Sequence, residues 1–500
     1  MQEQDFAGNA DFEVLSADAV DTGLETICFT ASKGIWEDGR SVTEIIAERS
    51  GRRLSFTSKA LRQISEWMGE ALKHDHEGPG ADRPIFLTIL DERVLLARTD
   101  ESKPVYGIGV DVGTTTVAFS LVDMNTGTVC RSLSLLNSQR QYGGDVVSRI
   151  QKAGDGWMDA LRDCICSDIV RGCVDLCDGE QAAVVRMVIA GNTTMLHLLL
   201  GLRGDSLAMY PFTPVTTASM EVPASELFGL TPIECDVTLL PSVGAYVGAD
   251  ILAGLMYCKI GQSSGVSLFI DVGTNGEMAI SGKTGIFCAS TAAGPAFEGA
   301  NITWGIGSVP GAISSFDFFR GEVNFTTIGN LPALGICGSA VVDIVAACLR
   351  SNVIDRTGRF VSDEMGTSGL PIAKNPDGEW IRFHQKDVRE FQLAKSAIRS
   401  GLEILLKESG YRWEDVGEVY LAGGFGTRIN VNNAVEVGLF PEELKDKIQP
   451  VGNSALGGTV KYLLCGKDRQ LLENLRVAAK VMDLSQQPAF NDMFLGHLQF

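Results

Sequence analysis

Gly109-Val110-Asp111-Val112-Gly113-Thr114-Thr115-Thr116-Val117-Ala118-Phe119-Ser120-Leu121 decides the fold, because Phe269-Ile270-Asp271-Val272-Gly273-Thr274-Asn275-Gly276-Glu277-Met278-Ala279-Ile280 repeats its plan. Each stretch reads as an apolar strand, an aspartate, a tight Gly-Thr turn and a second strand: a β-hairpin with a polar tip. Asn125-Thr126-Gly127 closes the first copy, and Gly282 to Gly285 closes the second. A domain's length separates them, so the chain reads as a duplicated α/β fold whose halves face each other.

The tip suits a polyphosphate. Gly113 and Gly273 let backbone N–H groups approach, while Thr114, Thr115, Thr116, Thr274 and Asn275 donate to phosphate oxygens. Asp111 and Asp271 can hold Mg²⁺ directly or through water. One such tip is ordinary turn punctuation; two at equivalent positions are not. A third loop, Gly423-Gly424-Phe425-Gly426, follows the strand-like Val419 to Ala422. Its paired glycines admit a flat ring or a sugar, and equally serve a plain strand-to-helix turn. Gly191-Asn192-Thr193 and Gly338-Ser339 place small residues at helix starts, where anions are favoured. Glu277 and Glu298 are both suited to orient an attacking water, Glu277 lying nearer the second phosphate loop; a local hydrogen bond or a surface charge is the alternative for each.

Around these motifs the chain is ordinary globular material, 45% hydrophobic and 21% charged. Its net charge of −20 argues against a nucleic-acid partner and against an anionic membrane surface. No apolar run spans a membrane and the start lacks a signal peptide, so a cytoplasmic location is expected. The 56 glycines show no collagen-like period and should sit in turns and ligand loops.

Four segments are expected: a flexible N-terminus (1–23), a small α+β domain (24–104), a first half (105–260) and a second half (261–500). In the small domain Leu61, Ile64, Met68, Ala71 and Leu72 recur at helical spacing behind a cap at Ser58, and His76-Glu77-Gly78-Pro79-Gly80 breaks that helix. Ile85 to Leu90 and Arg93 to Ala97 read as strands. Of twelve cysteines, Cys164, Cys166, Cys173 and Cys177 form the dense group. At ~100° per residue, Cys166, Cys173 and Cys177 share about 40° of one helix face, bordered by apolar residues; they read as core thiols. His197 reads as a satisfied core or supporting histidine.

The order Asp111-x-Gly-Thr, Asp271-x-Gly-Thr, Gly423-Gly424, then Gly452-Asn453-Ser454-Ala455-Leu456-Gly457-Gly458, resembles the acetate- and sugar-kinase, heat-shock chaperone and actin superfamily, ASKHA. That resemblance implies actin-like, ribonuclease H-like ATPase halves closing on ATP and Mg²⁺. Asn137-x-Gln139, Tyr142 to Ile150, Ala190 to Met195, Ala293 to Gly299, Gly335 to Ser339 and Asp483 to Phe490 look more narrowly like the reductive activators of corrinoid-dependent methyltransfer proteins, with Trp36 to Ser41 resembling their linker domain. The narrower resemblance implies ATP-driven return of a Co(II) corrinoid protein to Co(I). It assigns Asp111, Asp271 and Glu277 to catalysis, Asp111 and Asp271 also to Mg²⁺, and the three glycine loops to the nucleotide.

Many such activators begin with a [2Fe–2S] domain of Cys-x₄-Cys-x₂-Cys…Cys pattern. Here only Cys28 precedes residue 130. No iron–sulfur cluster is therefore expected in this chain, and a separate ferredoxin-type protein should supply electrons to the corrinoid partner; homodimerisation stays open. Two rivals share the phosphate loops: a metabolite kinase, and a nucleotide-switched module that binds the corrinoid protein without redox work.

Overall fold

The computed structural model describes residues 20–31, 39–74, 83–262, 265–319, 322–426 and 428–500. Most of the expected N-terminal tail, Trp36-Glu37-Asp38 of the linker motif and the helix-breaking His76 to Gly80 lie outside them.

The first unit comprises β1 (Glu25–Ala31), α1 (Val42–Ser50), β2 (Ser55–Phe56), α2 (Ser58–His74), β3 (Arg83–Leu90) and β4 (Arg93–Arg98), its sheet ordered β1-β3-β4-β2. Asp91 and Glu92 both adopt left-handed φ, 47° and 62°, the backbone a two-residue hairpin between β3 and β4 requires. The cap of α2 is Thr57, not Ser58: the Ala60 N–H donates to the Thr57 hydroxyl at 3.2 Å. The buried stripe is Ala60, Ile64 and Trp67, whereas Leu61 is 44% exposed. Both stripes share Ile64, and the wide Trp67 ring, packed edge-on to Phe29 at 6.2 Å, turns the helix toward the sheet.

Next come β5 (Tyr106–Val112), β6 (Thr116–Asp123), β7 (Val129–Leu136), α3 (Val146–Lys152), α4 (Met158–Cys177), β8 (Val184–Gly191), α5 (Thr193–Leu199), β9 (Met220–Pro223), α6 (Ala224–Phe228), β10 (Asp236–Leu239) and α7 (Ala249–Tyr257). Then follow β11 (Val266–Val272), β12 (Gly276–Gly282), β13 (Gly285–Thr291), β14 (Ala312–Phe319), β15 (Glu322–Thr327), β16 (Gly335–Ile336), α8 (Gly338–Arg350), α9 (Asp363–Ser368), β17 (Leu370–Lys374), β18 (Trp380–Phe383), α10 (Gln385–Glu408), β19 (Val416–Ala422), α11 (Gly423–Gly426), α12 (Val431–Glu436), β20 (Ile448–Gly452), α13 (Ser454–Leu464), α14 (Gly466–Ala478), β21 (Ala479–Met482) and α15 (Phe490–Gly496).

The duplication is plain in the sheets. One runs β7-β6-β5-β8-β10-β9, the other β20-β19-β11-β12-β13-β21. In each, a three-stranded antiparallel meander (β5-β6-β7, β11-β12-β13) is extended from its first strand by two parallel strands (β8 and β10, β19 and β20). The near-continuous apolar runs of β5 and β11 fit strands covered on both faces.

Helix α13, late in the chain, packs into the core of the first sheet through Val460, Leu463 and Leu464. Glycine permits the approach: a Cβ on Gly109 would stand 2.4 Å from the Thr459 hydroxyl, and one on Gly458 would stand 2.3 Å from the Ala253 carbonyl of α7. Part of the glycine excess therefore serves helix crossings, not turns and ligand loops. On α4, Cys173 and Cys177 are buried, Cys166 is half-buried with its thiol toward the Leu227 carbonyl, and burial pushes the Cys166 and Cys177 thiols up to about 11. His197 is satisfied at both nitrogens: Nδ1 lies 2.7 Å from the Thr193 carbonyl, and Nε2 accepts from the Val215 N–H at 3.0 Å. No described helix is long and apolar enough to cross a membrane.

Candidate active site

The two hairpin tips lie close enough that both donate a threonine hydroxyl to Glu298, which defines the crevice between them. At the first, Gly113 N–H donates to the Thr116 carbonyl at 3.0 Å; at the second, Gly273 N–H donates to the Asn275 carbonyl at 2.9 Å. The first tip is held from beneath. Asn137 Nδ2 donates to the Gly113 carbonyl at 2.9 Å, Asn137 N–H to the Thr115 carbonyl at 3.0 Å and Arg149 Nη2 to the Thr114 carbonyl at 2.5 Å. Arg149 is fully buried; its other donors reach the Gly143 carbonyl and Gln139, and burial pushes its guanidinium down to about 10. With its carbonyls tied inward, the loop presents N–H groups and hydroxyls outward.

Asp111 is the penultimate residue of β5 and Asp271 that of β11, so the repeat places them symmetrically. Asn453 joins them from the start of α13: its side-chain oxygen caps Leu456 N–H at 2.8 Å, and its Nδ2 donates to Asp111 Oδ2 at 2.9 Å. Burial is the main cause that raises Asp111, to about 6, with the Asn453 amide opposing it. Asp271 is pushed up to about 7 by burial, then by the charges of Asp111 and Glu298. Glu277, facing Asp271 across the β11–β12 pair, is held well above the usual range by burial and by Asp250 and Asp271.

Asp250 is the site residue that sequence reasoning missed. It lies in the first turn of α7, and burial followed by the Asp111 charge raises it to about 7. The one signal was a lone acidic residue in the apolar run Ala249 to Met256.

Other expected site residues divide. Asn192 caps α5 and donates to the Thr114 hydroxyl at 3.2 Å, which brings Gly191-Asn192-Thr193 to the first tip. Thr193 itself is buried, with its hydroxyl donated to the Gly244 carbonyl. Gly423, at φ 86°, lies against Asp271: a Cβ there would stand 2.7 Å from Asp271 Oδ1. Gly424 is exposed with open space around its Cα, while Phe425 is buried against Phe297, rings 4.6 Å apart. Gly338 and Ser339 are buried; Gly338 lies against Phe297, the neighbour of Glu298, and the Ser339 hydroxyl donates to the Ser314 carbonyl at 2.8 Å. One turn further along α8, Asp343 faces a cleft of about 540 Å³ shared with Phe316, Phe325, Asn430 and Asn433.

Among the described residues, no group of three or more His, Cys, Asp or Glu side chains is placed to hold a metal ion unaided. The carboxylate pair still fits Mg²⁺: the donors are hard oxygens, they crowd negative charge, and Mg²⁺ ordinarily takes one or two carboxylates and completes its shell with water and phosphate.

Comparison with known proteins identifies the family. The family model described as the C-terminal, ASKHA domain of RACo matches residues 265–500, and that of the RACo middle region matches residues 106–263. The corrinoid activation enzyme RamQ of Eubacterium limosum is 32% identical over 433 residues, covering 80% of this chain and 71% of that protein. The [Co(II) methylated amine-specific corrinoid protein] reductase of Methanosarcina barkeri is 27% identical over 432 residues, covering 79% and 77%. A solved reductive activator for corrinoid, iron-sulfur protein superposes with a TM-score of 0.83 at 29% identity, over 96% of this chain and 79% of that one. Duplicated sheets, paired phosphate-type tips and these matches together place the chain in the RACo family of reductive corrinoid activators.

Proposed function

We propose that this protein couples ATP hydrolysis to the one-electron reduction of a corrinoid protein's Co(II) to Co(I), the electron coming from a separate iron–sulfur protein. The observation that carries the ATP reading is the pair of equivalent Asp-x-Gly-Thr tips set around the carboxylates Asp111, Asp250, Asp271 and Glu277.

Asp111 and Asp271 would hold Mg²⁺, which supplies charge compensation to the phosphates. The backbone N–H groups and side chains of Thr114, Thr115, Thr274 and Asn275 would bind phosphate oxygens, in turns that the Gly113 and Gly273 N–H groups close. Gly423 and Gly424 would flank the adenosine, whose base end the cleft beside Asp343 would receive. Glu277 and Asp271 would orient the attacking water. Hydrolysis would change the angle between the halves, which the α7–α13 crossing connects, and so alter docking of the corrinoid protein.

The test mixes the protein, ATP, Mg²⁺, a low-potential iron–sulfur donor and a Co(II) corrinoid protein, and follows the corrinoid visible spectrum and phosphate release. Conversion to Co(I) that requires ATP is expected, with release accelerated by the partner. Phosphate transferred to a small molecule, or an unchanged spectrum where a cluster-bearing activator succeeds, would end this reading.

A further inference from the structure

Glu298 joins the two phosphate-type tips. Its Oε2 accepts from the Thr115 hydroxyl at 3.1 Å and from the Thr274 hydroxyl at 3.0 Å, so one carboxylate oxygen takes the donors of both halves. An oxygen of a terminal phosphate placed between the tips would need the same two protons. Two anions cannot share them, and in a crowded acidic crevice they repel.

The segment carrying Glu298 is a short turn set between two glycines. Pro295–Glu298 forms a single 3₁₀ turn between Gly294 at φ 78° and Gly299 at φ 83°, both left-handed. Phe297, adjacent to Glu298, packs on Phe425, which directly follows the Gly423-Gly424 pair. This turn therefore touches the phosphate end of the crevice with one residue and the adenosine loop with the next.

We propose that Glu298 is a phosphate-competing latch: it fastens the two tips to each other, and the terminal phosphate of an incoming nucleotide must displace it. Displacement frees Thr115 and Thr274 for phosphate, and the Phe297–Phe425 contact carries the movement to the adenosine loop. The proposal rests on the nucleotide reading above. It differs from an attacking-water role because it concerns affinity: the latch opposes any ligand that carries a phosphate at that place, and leaves a ligand without one untouched.

The experiment measures binding of ATP and of adenosine to the full chain and to Glu298→Gln and Glu298→Ala. Gln keeps shape and removes charge; Ala removes both. Both variants should bind ATP about tenfold tighter, the scale of charge-assisted hydrogen bonds exchanged without a competitor, while adenosine affinity stays within twofold. Unchanged or weaker ATP binding in both variants overturns the latch, as does an equal change for ATP and adenosine, which would mean Glu298 acts through packing of the adenosine loop. A wild-type chain that binds no ATP removes the nucleotide reading and the latch with it; a wild-type chain that binds ATP, with variants no tighter, removes the latch alone.

Discussion

The two hairpin tips share the sequence Asp-Val-Gly-Thr yet are supported differently. Beneath the first, Asn137 and the buried Arg149 bind the carbonyls of Gly113, Thr114 and Thr115. The second has the two bonds that both tips share, its own glycine N–H bond (Gly273–Asn275, as Gly113–Thr116 in the first) and a threonine hydroxyl on Glu298, without the first tip's Asn137 and Arg149. A buried guanidinium whose bonds go mainly to carbonyls is expensive to place, and it persists because it satisfies several acceptors together. The same motif thus yields one fixed donor platform and one adjustable one, and movement between the halves should be registered at the second.

The largest break in that comparison is Arg149→Ala. It leaves the Thr114 and Gly143 carbonyls without their donor and opens a cavity, so unfolding in denaturant should show a loss of about 3–5 kcal/mol. ATP binding should weaken with it. Arg149→Lys should recover little, since one ammonium cannot span the same acceptors. A loss below about 1 kcal/mol would mean that the first tip needs no platform.

Asp271→Asn acts on the second tip and should separate activity from stability. ATP hydrolysis should fall ~100-fold or more if this carboxylate serves Mg²⁺ and the attacking water. Stability should move oppositely. The Asp271 pKa, raised to about 7, lies above its unfolded value, so its stabilising contribution is complete below the unfolded pKa and is lost as pH rises through 7. At pH 8 without Mg²⁺, the neutral variant should melt higher than wild type. A lower melting temperature would show that the charge is stabilised there.

The tips were legible because short apolar strands, an aspartate and a Gly-Thr turn are local signals, and their repetition foretold two sheets of matching order. The thiols of α4 and His197 were legible for the same reason, since an apolar helix face identifies its own core residues. Tertiary partners were not. Nothing in Ser454 to Leu464 says that this helix completes the core of the first sheet, and the strand glycine Gly109 and the helix glycine Gly458 give no sign of a close approach until the packed elements are seen. Thr57 and Ser58 are both good caps, and only the backbone path selects Thr57. Asp250 became visible only once folding set it beside carboxylates far away in sequence.

The smallest effect concerns the carboxylates themselves. Asp111 stands at about 6 and Asp271 at about 7, and among the causes acting on the two, only Asp111 has a favourable amide, that of Asn453. Removing it should push Asp111 upward. A catalytic carboxylate must be ionised, so activity falls as pH drops through its pKa, and a raised pKa moves the acidic limb of the pH–rate profile to higher pH. Asn453→Ala should shift that limb toward neutrality and, by deleting the α13 cap, lower stability by about 1 kcal/mol. Asn453→Asp separates the two roles, because aspartate still caps the helix but donates nothing to Asp111 and adds a charge beside it. It should keep most of the stability and move the limb further than alanine does. If neither variant moves the limb, Asn453 is only a helix cap, and the difference between the two aspartates has to come from their distinct supporting shells.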